Sequence, residues 1–147
     1  MLDVLIEARS AIYDLAMRQA TALDRGDYVA LAACFKPDVH VDYEGRHLHG
    51  LEPFIAHLRT QYAYPILMHF VGNQLIDVKG DAADVETYCI AHLCENGAEG
   101  KRITFRGLRY IDHLVKQNGE WRVTARVQAC DWVRREALSF VTEKRPA

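Results

Sequence analysis

The sequence predicts an α+β fold in which helices pack on one face of a curved, mainly antiparallel sheet. Apolar residues recur at helical spacing in the first part of the chain, whereas long extended runs follow Pro65. Asn118-Gly119, between the last two of these runs, is a strong signal for a tight hairpin. Helices followed by strands that are joined by short turns are typical of this fold class.

Three helices are predicted before Pro65. Gly26 ends the first, and Asp27 is well placed to cap the second. Pro37 is expected to stop the second helix, because the residue before a proline is pushed out of the α region. The predicted helices cover residues 2–23, 28–35 and 51–62, and a short strand, 39–43, precedes the third.

Four long strands follow, the first two joined by the turn at Gly80 and the last two by Asn118-Gly119. They are predicted over residues 66–78, 83–94, 102–116 and 121–133. We therefore expect one domain over residues 1–133. The segment 134–147 is expected to be a tail, either a last helical turn or a loose end.

Composition excludes several classes of function. The chain has 147 residues and a formal net charge of −2, so it lacks the clustered basic face that nucleic-acid binding requires. It has no apolar run near the roughly 20 residues that cross a bilayer, and no signal-peptide pattern at its start. Its four cysteines form no C-x-x-C pair. These features predict a cytoplasmic domain with no membrane or nucleic-acid partner.

Four polar residues stand within apolar elements, where an ionisable group is costly unless it is paired. Asp24 lies at the C-terminal end of the first helix, where the helix dipole disfavours an acid. His69 lies in the most apolar strand, and His92 and Arg126 lie in two later strands. A carboxylate beside an imidazole makes a general base, and a guanidinium can stabilise a developing anion. The alternative is that His69 is a hydrogen-bonded core residue.

Other candidates have simpler interpretations. His47 and His49 lie on one side of an extended segment, near His40 and Asp42, and could recruit a metal. Their polar neighbours favour an exposed loop instead, so no metal site is predicted. The core is expected to include Tyr13, Met17 and Tyr28. The large aromatic residues Tyr110 and Trp132 either line a pocket or complete the core. A solvated face of the sheet is expected to carry Glu86, Arg102 and Arg106.

Several segments, in this order and spacing, resemble the SnoaL-like branch of the nuclear transport factor 2 superfamily. The resemblance covers nearly the whole chain. The segments are Ala22-Leu23-Asp24-Arg25-Gly26-Asp27, Leu31-Ala32-Ala33-Cys34-Phe35-Lys36-Pro37-Asp38, His69-Phe70-Val71-Gly72-Asn73, Gly80-Asp81-Ala82-Ala83-Asp84-Val85-Glu86, Gly107-Leu108-Arg109-Tyr110-Ile111-Asp112 and Asn118-Gly119-Glu120-Trp121-Arg122-Val123.

The resemblance implies a cone, in which three helices close over a strongly curved sheet around one apolar cavity. Family members include scytalone dehydratase, hexachlorocyclohexane dehydrochlorinase and bile acid 7α-dehydratase. Asp24 and His69 match their base dyad, and Arg126 matches an arginine that two of them carry on the last strand. Gln19 stands where the last two have Lys or Tyr, and a glutamine can donate a hydrogen bond but cannot supply a charge or a proton. The expected substrate-binding residues are Tyr13, Met17, Gln19, His92, Tyr110, Cys130 and Trp132.

The resemblance implies a lyase or isomerase that needs no cofactor and acts on an apolar, cyclic small molecule such as a steroid or polyketide. His69, oriented by Asp24, would remove a proton, and Arg126 would stabilise the anion with Gln19 and Tyr110. Two alternatives remain open: a cone that only binds a ligand or accompanies a larger enzyme, and the small subunit of a ring-hydroxylating dioxygenase. The family also implies a homodimer or homotrimer.

Overall fold

The computed structural model describes residues 2–138, which form three helices and six strands. The helices are α1 (Leu2–Arg25), α2 (Tyr28–Ala32) and α3 (Leu51–Gln61). The strands are β1 (Phe35–Tyr43), β2 (Arg46–His49), β3 (Ile66–Lys79), β4 (Ala82–Gly97), β5 (Gly100–Gln117) and β6 (Glu120–Ala137). The predicted α+β cone, with its helices packed on a curled sheet, is confirmed. Within residues 2–138, the helices lack the combination of length and apolar character needed to cross a bilayer.

The six strands form one sheet in the order β2-β1-β6-β5-β4-β3. All neighbours are antiparallel except β1 and β6, which run parallel. We call the face that packs against α1 the inner face and the opposite one the outer face. Side chains alternate between them, so on β4 Val85 and Cys89 are buried inside while Asp84 and Tyr88 are exposed outside.

The core lies between the inner face and the helices. Ile12 and Leu15 of α1 are almost fully buried there, as is Phe54 of α3. The Phe54 ring meets the Phe35 ring of β1 edge to face, with 5.1 Å between centroids. The apolar side of the helices is therefore buried against the sheet. The few polar residues that are buried among these apolar ones are the candidates for function.

Two turns follow the sequence prediction closely. Gly26 has a φ of +67°, and the Asp27 amide donates to the Ala22 carbonyl at 2.8 Å, which ends α1. Asp27 then caps α2, because its Oδ1 accepts from the Ala30 amide at 3.0 Å. Asp24 is thereby held in the last turn of α1. The Asn118-Gly119 hairpin is also present, with a positive φ at both residues.

The start of the sheet differs from the prediction. Helix α2 ends at Ala32 rather than at residue 35, and β1 begins at Phe35, two residues before Pro37. The cause is non-local: the Val123 amide of β6 donates to the Cys34 carbonyl at 3.0 Å and draws this segment into the sheet. Residues 46–49, expected as a loop, form β2 and pair with β1.

Two further expectations are corrected. Arg106 is half-buried and pairs with Glu44, so it does not belong to a solvated sheet face. Strand β6 continues to Ala137, so residues 134–137, assigned to the tail, belong to the sheet. Leu138 follows the strand, and the last part of the predicted tail, 139–147, lies outside the described residues.

Candidate active site

Asp24 and His69 form a buried pair between α1 and β3. The Asp24 Oδ1 lies 2.7 Å from the His69 Nδ1, and the His69 backbone N–H is 3.0 Å from both carboxylate oxygens. The His69 side chain is 1% exposed and that of Asp24 is 22% exposed. Since the carboxylate only accepts, it holds the imidazole proton on Nδ1. The other nitrogen, Nε2, is buried without a partner among the described residues.

His69 lines a cavity between the three helices and the inner face. Its volume is about 40 Å³. The two walls differ in character. The helices contribute Ala16, Ala20, Leu23, Leu31, Phe54 and Leu58, whereas the polar lining consists of Gln19 of α1 with His69, Thr87, Tyr110, Arg126 and Gln128 of the sheet.

Arg126 forms the cationic part of the polar wall. Its Nε and Nη2 donate to the two oxygens of Asp112 at 2.7 and 2.6 Å, and Nη2 also donates to the Gln19 Oε1 at 2.6 Å. The guanidinium lies 4.5 Å from the centroid of the Tyr110 ring. Burial lowers the pKa of Arg126, but attraction and hydrogen bonding to Asp112, together with Tyr110 and Cys34, outweigh burial and leave the pKa above its usual value. The guanidinium therefore stays charged.

Tyr110 and Cys89 supply neutral groups to the same wall. Burial raises the pKa of Tyr110 well above its usual value. Burial, with the nearby charge of Asp24, raises the pKa of Cys89 to about 12. Both side chains therefore keep their protons at neutral pH and can serve as hydrogen-bond donors, but not as anionic nucleophiles.

The structure brings several of the predicted residues together. Gln19 and Tyr110 line the cavity with His69 and Arg126, and Asp24 stands directly behind His69. Two residues of α1 do not line it: Tyr13 is 49% exposed, and Met17 is half-buried outside the lining. Neither residue lines the cavity, and their role in substrate binding stays a prediction.

Three residues on the strands are also placed elsewhere. His92 points to the outer face, where its Nδ1 lies 3.1 Å from the Met68 carbonyl oxygen. A bulge in the β5–β6 pairing sets Trp132 against Gly107, also on the outer face. Cys130 is half-buried outside the cavity lining, and its thiol donates to the Trp132 carbonyl at 3.4 Å. None of these three lines the cavity, and their role in substrate binding stays a prediction.

Sequence reasoning missed Asp112, Thr87 and Gln128, all of which are less than 10% exposed. A signal for Asp112 was present, because Leu108, Tyr110, Asp112 and Leu114 alternate along β5 and share the inner face. An acid in that series requires a partner, and Arg126 lies directly opposite it on β6. Tyr62 was missed as well, and its ring centroid lies 5.6 Å from that of His69.

The outer face carries the remaining histidine cluster. The His40 and His49 rings meet edge to face at 4.7 Å, and with His113 they line an open groove of about 840 Å³. In the part of the chain that the structure describes, no three ligating side chains converge on one point. The groove is larger than the inner cavity, but it holds neither Asp24 nor His69. The inner cavity is therefore the candidate active site.

A helix-covered, curled sheet around a cavity with one polar wall defines the nuclear transport factor 2-like class of α+β cones. The chain belongs to the SnoaL-like domain family, whose model matches residues 5–127. This confirms the family that the sequence resembles.

Individual relatives agree with this assignment. An uncharacterized protein of Mycobacterium tuberculosis, Rv2910c, is 30% identical over 128 residues, which cover 84% of this chain and 85% of that protein. The structure of a type 2 hexachlorocyclohexane dehydrochlorinase is similar with a TM-score of 0.82 and 19% identity, over 94% of this chain and 95% of that one. A Novosphingobium aromaticivorans protein provisionally named scytalone dehydratase has a TM-score of 0.80 and 23% identity, over 91% of each chain. At these identities the two structures establish the fold.

Proposed function

We propose that this protein is a cofactor-independent lyase, dehydratase-like, or an isomerase that removes a proton from an apolar, cyclic small molecule. The observation that carries the proposal is the His69 ring on the cavity wall, with Nδ1 held by Asp24 and Nε2 unpartnered among the described residues. Similarity in fold to proteins named for dehydration and dehydrochlorination supports a lyase.

In the proposed reaction, His69 Nε2 takes a proton from a carbon next to a carbonyl group. The C–H electron pair shifts toward the carbonyl oxygen and forms an enolate, while Asp24 stabilises the imidazolium. In an isomerisation the same proton returns to another carbon. In a dehydration the enolate expels hydroxide, which leaves as water with the proton from His69.

The size of the cavity limits the substrate. Pockets for drug-sized ligands have volumes of about 300–1,000 Å³, whereas this cavity has about 40 Å³. A ring-sized substrate therefore requires displacement of the apolar side chains on the helical wall, among them Leu31, Phe54 and Leu58. We expect turnover to depend steeply on substrate size.

Deuterium exchange tests proton abstraction without knowledge of the natural substrate. Ketones graded in size, from acetone through cyclohexanone to a steroid ketone, are incubated with the protein in D2O, and deuterium uptake next to the carbonyl is measured by mass spectrometry. We expect the wild type to accelerate uptake, and His69→Gln to lose roughly 10²–10⁴-fold. His113→Gln, on the outer face, is the matched control and should keep the wild-type rate. Equal rates in wild type and His69→Gln would refute the proposal.

The alternative is a cone that only binds its ligand. Its affinity would come from apolar contacts, so ligand-dependent thermal stabilisation would survive Asp24→Asn while no member of the ketone series exchanged. That combination of results would replace the enzymatic proposal with a binding one.

We also propose that the outer face packs against a second copy of the chain, in a homodimer or homotrimer. Phe70, Tyr88 and Trp132 are exposed there by 65%, 38% and 47%. Together they leave roughly 300 Å² of apolar surface, which reaches the size of the largest patch on a typical monomer. Light scattering after gel filtration should show an oligomer that Phe70→Asp with Trp132→Asp converts to a monomer. Val29→Asp on α2 is the control, and a monomeric wild type would refute this assembly.

A further inference from the structure

The charge of Arg126 is already offset inside the protein. Asp112 accepts two hydrogen bonds from it, and the two side chains are 10% and 6% exposed. Asp24, the charged side chain behind His69, is engaged with the His69 ring. Among the described residues that line the cavity, no positive charge is left uncompensated to attract an anion.

The orientation of the Gln19 amide follows from the same contact. Gln19 is 7% exposed and lines the cavity, and its Oε1 accepts from the Arg126 Nη2 at 2.6 Å. Because a guanidinium carries donors only, the amide oxygen must face Arg126. The amide NH2 group then points away from Arg126 and has no protein partner among the described residues.

We propose that the cavity selects an uncharged substrate, whose carbonyl oxygen accepts a hydrogen bond from the Gln19 NH2, and that it excludes carboxylates. Asp112 is the positioning residue: it offsets the charge of Arg126 and holds the guanidinium where it orients Gln19. The identity of that oxygen as the enolate oxygen rests on the proposed function, whereas the selection between neutral and anionic ligands does not.

The electrostatic bookkeeping is consistent with a neutral substrate. When His69 takes a proton, the new negative charge on the substrate oxygen is matched by the new positive charge on the imidazolium. The total charge of the cavity does not change during this step. A carboxylate would instead add a third anionic group beside Asp24 and Asp112 around a single guanidinium, which is unfavourable in a buried site.

The experiment compares acetamide with acetate, an isosteric pair whose members differ in charge and are small enough for a cavity of this size. Titrations at constant ionic strength follow the side-chain amide signals of Gln19 by ¹⁵N NMR, assigned by their loss in Gln19→Leu. In the wild type we expect acetamide to shift these signals saturably, and acetate to bind at least about tenfold more weakly. Equal affinities, or a Gln19 signal that neither ligand shifts, would overturn the proposal.

Two variants separate the roles of Gln19 and Asp112. Asp112→Asn leaves Arg126 without its compensating charge, so acetate affinity should rise at least about tenfold. Asp131→Asn, which removes the acid from a similar arginine pair on the outer face, should change neither affinity.

Gln19→Leu keeps the Arg126–Asp112 pair. In this variant the affinity for acetamide should fall at least about tenfold while acetate binding stays weak, and the His69 ring signals follow both titrations. If Asp112→Asn does not fold, the Gln19→Leu result alone decides.

The outcomes distinguish this inference from the proposed function. Selection of acetamide with no deuterium exchange into any ketone would leave the inference intact and refute the enzymatic proposal. Exchange that depends on His69, together with equal binding of acetate and acetamide, would do the reverse.

Discussion

The inner and outer faces of the sheet each contain a histidine–aspartate pair with almost the same geometry. Inside, the His69 Nδ1 lies 2.7 Å from Asp24, and outside, the His113 Nδ1 lies 2.8 Å from Asp84. The inner side chains are 1% and 22% exposed, whereas the outer ones are 50% and 55% exposed. The outer carboxylate is also shared with Lys79, at 3.1 Å.

Arginine–aspartate pairs repeat the pattern. Arg126 donates to Asp112 inside at 2.7 and 2.6 Å, and Arg109 donates to Asp131 outside at 2.7 and 2.8 Å. Only the inner pair is buried against a cavity. Residue type and distance therefore do not identify a reactive site. The difference lies in access to water. Water is excluded from the inner contacts, which strengthens them, whereas it competes with the outer contacts.

Removing the acid from each arginine pair tests this conclusion through stability. Asp112→Ala should lower the free energy of unfolding by about 3–5 kcal/mol, because it leaves the Arg126 charge buried without compensation. Asp131→Ala should cause no measurable change, since water replaces the lost contact. Urea unfolding at pH 7 measures both. Equal losses in the two variants would contradict the distinction between the faces.

Replacing the acid in each histidine pair has a smaller expected effect. Asp24→Asn should cost about 1–3 kcal/mol of stability, because charged hydrogen bonds to the His69 ring and backbone are weakened. It should also free the ring to change tautomer, because an amide can donate to Nδ1 where a carboxylate can only accept. Asp84→Asn on the surface should leave the stability of the protein unchanged.

The tautomers themselves can be observed by ¹⁵N NMR of the imidazole rings. In the wild type, His69 should show one fixed tautomer with the proton on Nδ1, and Asp24→Asn should abolish that preference. Assignment comes from the loss of the signal in His69→Gln. A His69 ring that ignores the substitution of Asp24 would remove the basis for a general base at this position.

The sequence was informative wherever a local pattern decides the structure. Helical spacing located α1, the Asn118-Gly119 pair located the last hairpin, and polar residues within apolar runs singled out Asp24 and His69. It failed where pairing between distant segments decides. The bond between Val123 and the Cys34 carbonyl sets the start of β1. The bulge opposite Gly107 sends Trp132 to the outer face.

Asp112 is a different case, because sequence reasoning missed it although its alternation with Leu108 and Leu114 is a signal for the inner face. What the sequence did not contain was the register between β5 and β6, which sets Asp112 opposite Arg126. Without that register, an inward carboxylate and an inward guanidinium are two separate costs rather than one compensated pair.

The smallest effect is expected from His57, a second imidazole whose Nε2 is buried without a partner among the described residues. Its ring packs edge to face on Tyr43 of the inner face, at 4.6 Å. Burial, followed by the charge of Arg46, lowers the pKa of His57 below its usual value. The folded state therefore favours the neutral ring. Its contribution to stability is present above the usual pKa of about 6.5, and it is lost as the pH falls from that value through the lower pKa of the folded state.

His57→Gln should consequently flatten the decrease in unfolding free energy from about pH 7.5 to about pH 5.5, a range in which most carboxylates stay ionised. The measurement is urea unfolding of variant and wild type across that range, and identical slopes would contradict the expectation. A flatter slope would show that burial without a carboxylate partner opposes protonation of an inward-facing imidazole. The feature that makes His69 suited to accept a proton is then the Asp24 carboxylate, and not burial alone.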